Sequence, residues 1–153
     1  MRLLISCFAA ILLLVWSPGG NEAVAANVLS EFGRLMGDNK SPFDKLFTSL
    51  AVIQMSCDTT FRLSSTLTEP ANVAATRSKA EKCQSDGLVE GNTTLSEFKG
   101  ALAKSASQSA LRELTVFFRM QMADLGSRRT EDQEVLILRH FKYLVERIRV
   151  EEE

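Results

Sequence analysis

The chain has 153 residues, enough for one domain with one core but too few for two ordinary domains. Its 18 basic and 19 acidic residues nearly balance. This balance excludes the strong positive field that draws a protein to nucleic acids or to anionic membrane surfaces, so we expect neither as a partner. One histidine and three cysteines also leave few groups for nucleophilic or metal chemistry.

Residues 1–25 have the pattern of a cleaved signal peptide. A positive residue precedes an almost unbroken apolar run over residues 3–16, and a Ser-Pro-Gly-Gly turn follows it. A small-residue motif ending at Ala25 predicts Ala26 as the first mature residue, although cleavage one residue later or near Gly19 fits as well. Because the run is shorter than the roughly 20 residues of a membrane-spanning helix, we favour cleavage over an uncleaved anchor.

Cleavage would remove Cys7 and leave two cysteines, Cys57 and Cys83, in the mature domain of residues 26–153. An exported chain reaches an oxidising compartment, periplasmic or extracellular, where a disulfide between them can persist. Two cysteines without CxxC spacing and one distant histidine make a poor set of metal ligands. We therefore expect a Cys57–Cys83 disulfide, no metal, and no membrane insertion after cleavage.

The best-defined element is an amphipathic helix over Ser41–Phe61. Ser41 can cap it, Pro42 suits its first position, and Asp44 adds negative charge to its first turn. Cys57 lies on its apolar face and should point into the core. The predicted members of that face are Phe43, Leu46, Phe47, Leu50, Ile53, Cys57 and Phe61.

Two less strongly marked helices lie on either side of this element. The first is predicted over Asn27–Gly37. The second, over Pro70–Ser85, has a narrow apolar stripe and would dock weakly by itself, so the disulfide should hold it in place. Asp86-Gly87 should end this helix, and a loop is predicted over Gly91–Thr94.

A long helical pattern follows over Leu95–Leu125. Thr94 and Glu97 have the spacing of a capping box at its start. Plotted around the helix axis, its apolar face changes direction by roughly 110° within residues 103–109. Either one helix packs on different neighbours at its two ends, or two helices meet near Ser105–Ser107. We favour one helix, because no glycine or proline lies where the face shifts.

The last helix begins after Gly126 and a short turn. Thr130 and Gln133 repeat the capping-box spacing, and acidic residues follow in the first turn. Acidic groups at Glu151–Glu153 oppose the negative end of the helix dipole, so this end should fray. The main apolar stripe is Ile137, Leu138, Phe141, Leu144, Val145 and Ile148.

No catalytic constellation is recognisable. His140 is the only histidine, and the sequence has no phosphate loop, HExxH or calcium loop. Met36 or Met55 could be paired with His140 as haem ligands, but methionine commonly fills core gaps and CxxCH is missing. We therefore expect no enzymatic activity and no cofactor.

The back of the last helix offers the best candidates for partner binding, Leu136, His140, Tyr143 and Arg147, with Val150 alongside. If the helix were covered on one side only, these residues would form an exposed apolar patch edged by polar groups. The alternative is a central helix with both faces buried, which we favour. The run Phe117–Met122 also has too many apolar residues for one face, and we again favour core packing.

Together these patterns predict an all-α fold, an antiparallel bundle of four to five helices with one disulfide, with the opening helix across one end. The leading functional hypothesis is a small exported protein-binding module without enzymatic activity, such as an inhibitor, an immunity protein or a chaperone. The alternatives are a carrier of a small ligand or cofactor inside the bundle and a small enzyme that uses carboxylates.

Overall fold

The computed structural model describes residues 22–36 and 41–153, with side chains described from Asn27 onward. The predicted signal peptide lies mostly outside these residues. Five helices pack together in the described chain, without a strand, which confirms the predicted all-α bundle. They are α1 (Glu22–Met36), α2 (Pro42–Thr66), α3 (Pro70–Gly100), α4 (Ser105–Ala123) and α5 (Glu131–Glu152).

Helix α2 forms the centre of the bundle. Its start matches the prediction, since the Ser41 hydroxyl accepts the Asp44 N–H at 3.0 Å. The predicted face is inward: Phe43 and Phe61 are half-buried, and the rest are buried, namely Leu46, Phe47, Leu50, Ile53 and Cys57. Cys57 is bonded to Cys83 of α3, with the two Cα atoms 5.4 Å apart. The disulfide prediction is therefore confirmed.

Ion pairs fix the direction of α5 against α2. Lys142 of α5 donates to Asp44 at the start of α2 at 2.6 Å. Toward the other end of α2, Arg62 pairs with Glu134 near the start of α5. The two helices therefore run antiparallel, and α2 to α5 form an up-down-up-down bundle in which neighbours are joined by short turns.

Helix α5 begins with the predicted capping box. The Thr130 hydroxyl accepts the Gln133 N–H at 3.3 Å, and the Gln133 side chain accepts the Thr130 N–H at 2.9 Å. Gly126 adopts a φ of +76° in the preceding turn, a conformation that side-chain-bearing residues rarely adopt. Its N–H donates to the buried Asp58 carboxylate at 2.8 Å, which ties the turn to α2.

The prediction that a helix ends at Asp86-Gly87 was wrong, because α3 continues to Gly100. The predicted capping box at Thr94 was also wrong, since the Thr94 hydroxyl donates to the Glu90 carbonyl inside the helix. Gly87 and Gly91 are buried on the face that meets α2 and α4. A Cβ on Gly87 would lie 2.8 Å from Ile53, and one on Gly91 would overlap the ring of Phe118. These glycines permit close packing rather than ending the helix.

The helix is interrupted at residues 101–104, between α3 and α4, so the favoured prediction of one continuous helix was wrong. Helix α4 has no capping side chain of its own at Lys104. Instead, the Glu152 carboxylate accepts the N–H groups of Ala103 and Lys104 at 2.8 and 3.2 Å and the Ser107 hydroxyl at 2.5 Å. These hydrogen bonds, Ser107 first, lower the pKa of Glu152.

The same contact explains why the end of α5 is helical to Glu152. The N–H groups at the start of α4 have no acceptor within that helix and carry partial positive charge. By binding Glu152, they offset the unfavourable interaction of its carboxylate with the dipole of α5. The prediction that Glu151–Glu153 would fray took account only of the dipole of α5. It did not include the contact of Glu152 with the start of α4.

Helix α1 packs mainly along α5 rather than across one end of the bundle. Asn27 and Glu31 of α1 line a cleft with Asp132 and Arg139 of α5. Arg139 donates to Glu31 at 2.7 Å, and Arg34 of α1 holds the same carboxylate.

Acid is expected to loosen α1. Hydrogen bonds from Arg34 and Arg139 lower the pKa of Glu31 from 4.5 to about 2. Because the folded pKa is depressed, the stabilisation is present above the unfolded pKa and is lost as the pH falls toward about 2. Hydrogen exchange over residues 27–36 should therefore accelerate between about pH 4.5 and 2 relative to α5.

A Glu31→Gln variant should show fast exchange in α1 at neutral pH and little further change in acid. Glu97→Gln is a matched control, because Glu97 is exposed and no ion pair or hydrogen bond holds it among the described residues. Equal pH profiles for the wild type and Glu31→Gln would contradict this role of the carboxylate.

Candidate partner-binding surface

The candidate residues on the back of α5 are exposed, contrary to the favoured interpretation that both faces of this helix are buried. Leu136, Tyr143 and Val150 are 61 %, 58 % and 64 % exposed. His140 is also exposed, whereas Arg147 is half-buried. The inward face of α5 is the predicted stripe, with Leu138, Phe141, Leu144, Val145 and Ile148 buried.

Three of the four candidates line one open groove of about 600 Å³ between α4 and α5. The α5 wall presents His140, Tyr143 and Arg147. Leu136 instead lines a smaller cleft of about 340 Å³ between α1 and α5. The structure therefore brings His140, Tyr143 and Arg147 together and places Leu136 outside the groove.

The α4 wall of the groove contains residues that the sequence did not identify. Val116 lines the groove and is 58 % exposed. Met120, one turn further along α4, is 60 % exposed. The expectation that the run Phe117–Met122 packs in the core holds for Phe118 and Met122, which are fully buried. The sequence feature that could have indicated an exposed apolar side chain was the surplus of apolar residues in this run, which one inward face cannot hold.

An aromatic cluster forms the floor of the groove. The Phe117 ring lies edge-on to His140 at 4.5 Å and to the buried Phe141 at 4.8 Å between ring centroids. His140 stacks on Tyr143 at 5.9 Å. Because Phe141 belongs to the core, the exposed rings rest on a rigid base and lose little conformational entropy when a partner covers them.

Charged groups lie at the end of the groove away from the Gly126 turn. Arg147 donates to Glu151 at 2.9 Å and to Glu113 at 2.6 Å, and these contacts raise the pKa of its guanidinium. Arg112 is exposed beside them and makes no hydrogen bond or ion pair with any described residue. This end of the groove therefore has the unpaired Arg112 beside Arg147 and its two carboxylates, and the formal charges of these four groups cancel.

The remaining chemistry of the described residues is sparse. No three His, Cys, Asp or Glu side chains among them are grouped so that they could hold a metal ion. Met36 and Met55 pack against the core, whereas His140 faces outward in the groove, so the geometry gives no support to a haem site. Within ranges 22–36 and 41–153, no helix has the length and apolar character needed to cross a membrane.

The disulfide between Cys57 and Cys83 is compatible with an oxidising, extracytoplasmic compartment. Comparison with protein-family models, with curated proteins and with solved structures finds no match to this chain.

Proposed function

We propose that this protein is a small exported protein-binding module without enzymatic activity, of the kind that serves as an inhibitor, an immunity protein or a chaperone. The observation that carries the proposal is the α4/α5 groove, in which Val116 and Tyr143 are exposed over an aromatic floor. The disulfide and the pattern of residues 1–25 support export.

The groove has the composition of a protein contact site. Exposed apolar residues that lie together and are edged by charged groups commonly mark interaction surfaces. Tyrosine, methionine and arginine are enriched at such surfaces, and tyrosine and arginine often supply much of the binding energy. Here Tyr143, Met120 and Arg147 lie on or beside one groove.

A matched pair of valine substitutions tests this function. Val116→Asp places a charge in the groove, whereas Val89→Asp places one on α3, where Val89 is 67 % exposed and outside the groove. Both positions are exposed and helical, so each change should alter the free energy of unfolding by only about 0.5 kcal/mol. In affinity purification from the native compartment, Val116→Asp should lose a partner that Val89→Asp retains.

Tyr143→Ala provides a second check on the same surface. It should leave the unfolding midpoint nearly unchanged and weaken capture of the same partner. Equal capture by the wild type, Val116→Asp and Tyr143→Ala would show that the groove is not the contact surface. A loss of about 3 kcal/mol in stability on Tyr143→Ala would instead assign Tyr143 to the core.

A further inference from the structure

The interruption between α3 and α4 lies in a sequence that favours an unbroken helix. Residues 101–104 are Ala-Leu-Ala-Lys, all strong helix-forming types. Gly100, just before them, is already part of α3. Leu95, Phe98, Leu102 and Ala106 keep the spacing of one helical face across the interruption. The local sequence therefore favours one joined helix, so the interruption depends on contacts from elsewhere in the bundle.

Few backbone changes separate the interrupted form from a joined helix. Ala101 ends α3 with φ −90° and ψ −7°, close to helical values, whereas Lys104 is extended with φ −91° and ψ 142°. Ala101, Ala103, Lys104 and Ser105 are all exposed. These residues can therefore become helical without leaving the core.

The Glu152 carboxylate stabilises the interrupted form alone. It accepts the N–H groups of Ala103 and Lys104 at 2.8 and 3.2 Å. In a joined helix the same N–H groups would donate to the carbonyls four residues earlier and would have no need of Glu152. Lys104 supplies no capping side chain in its place. A group that binds only one of two conformations shifts the equilibrium between them, and Glu152 meets this condition.

We propose that residues 101–104 are a hinge that Glu152 keeps interrupted, and that two copies of the chain exchange α4 and α5 when this contact is lost. In the exchanged dimer, α3 and α4 of each copy form one long helix. The α4 and α5 segments of one copy then pack against α2 and α3 of the other. The exchange does not depend on the proposed protein-binding function.

The exchange keeps the contacts that join the two halves of the bundle. Arg119 of α4 donates to Asn92 of α3 at 2.8 and 2.9 Å. Lys142 of α5 donates to Asp44 at the start of α2 at 2.6 Å. Because each contact joins residues on opposite sides of the hinge, it forms between copies in the exchanged dimer. Such an exchange needs no new interface, and short hinges favour it.

Alanine substitutions at two adjacent carboxylates test the role of Glu152. Glu152→Ala removes the acceptor at the hinge, whereas Glu153→Ala removes a carboxylate that is 67 % exposed and bonds Arg149. After refolding at equal protein concentrations, analytical ultracentrifugation should give Glu152→Ala a dimer dissociation constant at least about tenfold lower than that of the wild type or Glu153→Ala. Glu152→Gln keeps the side-chain volume but loses the charge, and it should lie between them.

Ser105→Pro tests whether the dimer contains a joined helix. Ser105 is the first residue of α4, where proline is well tolerated, and the extended Lys104 suits a following proline. In a joined helix the same proline would lose a backbone hydrogen bond and clash with the carbonyl of Ala101. Ser105→Pro/Glu152→Ala should therefore stay monomeric where Glu152→Ala dimerises.

Zero-length cross-linking detects the exchange directly. A carbodiimide can join Lys142 to Asp44, since the two side chains are in contact. When isotope-labelled and unlabelled Glu152→Ala are refolded together, an exchanged dimer should give cross-linked peptides with one labelled and one unlabelled half. The disulfide adds no link between copies, because Cys57 and Cys83 both precede the hinge and stay together.

Three results would overturn the proposal: dimerisation of Glu152→Ala no stronger than that of Glu153→Ala, Lys142–Asp44 links that stay within single copies, or a dimer that Ser105→Pro leaves intact. A folded and monomeric Glu152→Ala would show that packing, and not this carboxylate, maintains the interruption. If Glu152→Ala does not fold, the same three comparisons made on Glu152→Gln decide the question.

Discussion

Reduction of the Cys57–Cys83 disulfide is expected to lower the free energy of unfolding by about 3.5 kcal/mol, on the chain-entropy model of the loop that it closes. The bond spans 26 residues and joins the central helix α2 to α3. For a small domain whose total stability is about 5–15 kcal/mol, this is a large fraction. Denaturant unfolding with and without reductant measures the change directly.

The first half of α3 should loosen before the rest of the bundle. Between Pro70 and Ser85 only Ala80 is fully buried, and most other side chains are exposed. The second half is better held, because Gly87, Gly91 and Leu95 are buried. After reduction, hydrogen exchange over residues 70–85 should therefore accelerate well before exchange in α5.

A Cys57→Ala/Cys83→Ala variant controls for effects of the reductant elsewhere. Alanine suits Cys57, which is 1 % exposed, because it leaves no unpaired thiol in the core. Reductant should not change the stability of this variant. Unchanged exchange over residues 70–85 in the reduced wild type would count against a stabilising role of the bond for α3.

Gly91→Ala is expected to destabilise the protein by about 3 kcal/mol, although alanine is the better helix former. The added Cβ would overlap the ring of Phe118, which is fully buried and cannot move outward freely. Thermal and denaturant unfolding would measure the loss. Gly33→Ala is the matched control, because a Cβ there meets nothing within 4 Å. It should be neutral or stabilise by up to about 1 kcal/mol.

A compensating substitution separates a steric cause from a conformational one. Phe118→Leu removes the part of the ring that a Cβ on Gly91 would meet. The double variant Gly91→Ala/Phe118→Leu should therefore cost clearly less than the sum of the two single changes. Additive losses would mean that Gly91 matters for a reason other than its contact with Phe118.

The elements whose signals lie within a few residues were predictable. Ser41 caps α2 and Thr130 with Gln133 caps α5, as their local spacing indicated. The inward face of α2 also followed from its periodicity. The Cys57–Cys83 pairing followed from the small number of cysteines. Each of these depends on the chain's own backbone or on simple elimination, so a single sequence contains the information.

The errors share one physical origin, which is contact between residues distant in the chain. Gly87 and Gly91 suggest helix ends locally, but in the bundle they admit Ile53 and Phe118. The break at residues 101–104 becomes favourable because Glu152, almost fifty residues away, accepts the free N–H groups there. A lone sequence gives no sign of which distant side chain will supply such an acceptor.

For the candidate surface, the sequence alone determined that Tyr143 lies almost opposite the main stripe of α5 with His140 alongside, since helical periodicity fixes which residues share a face. Only the tertiary structure decided that this face is open, because exposure depends on where the neighbouring helices pack. It also brought Val116 and Arg112 of α4 beside that face. The sequence thus determined the faces of the helices, and the packing determined which of them meet solvent.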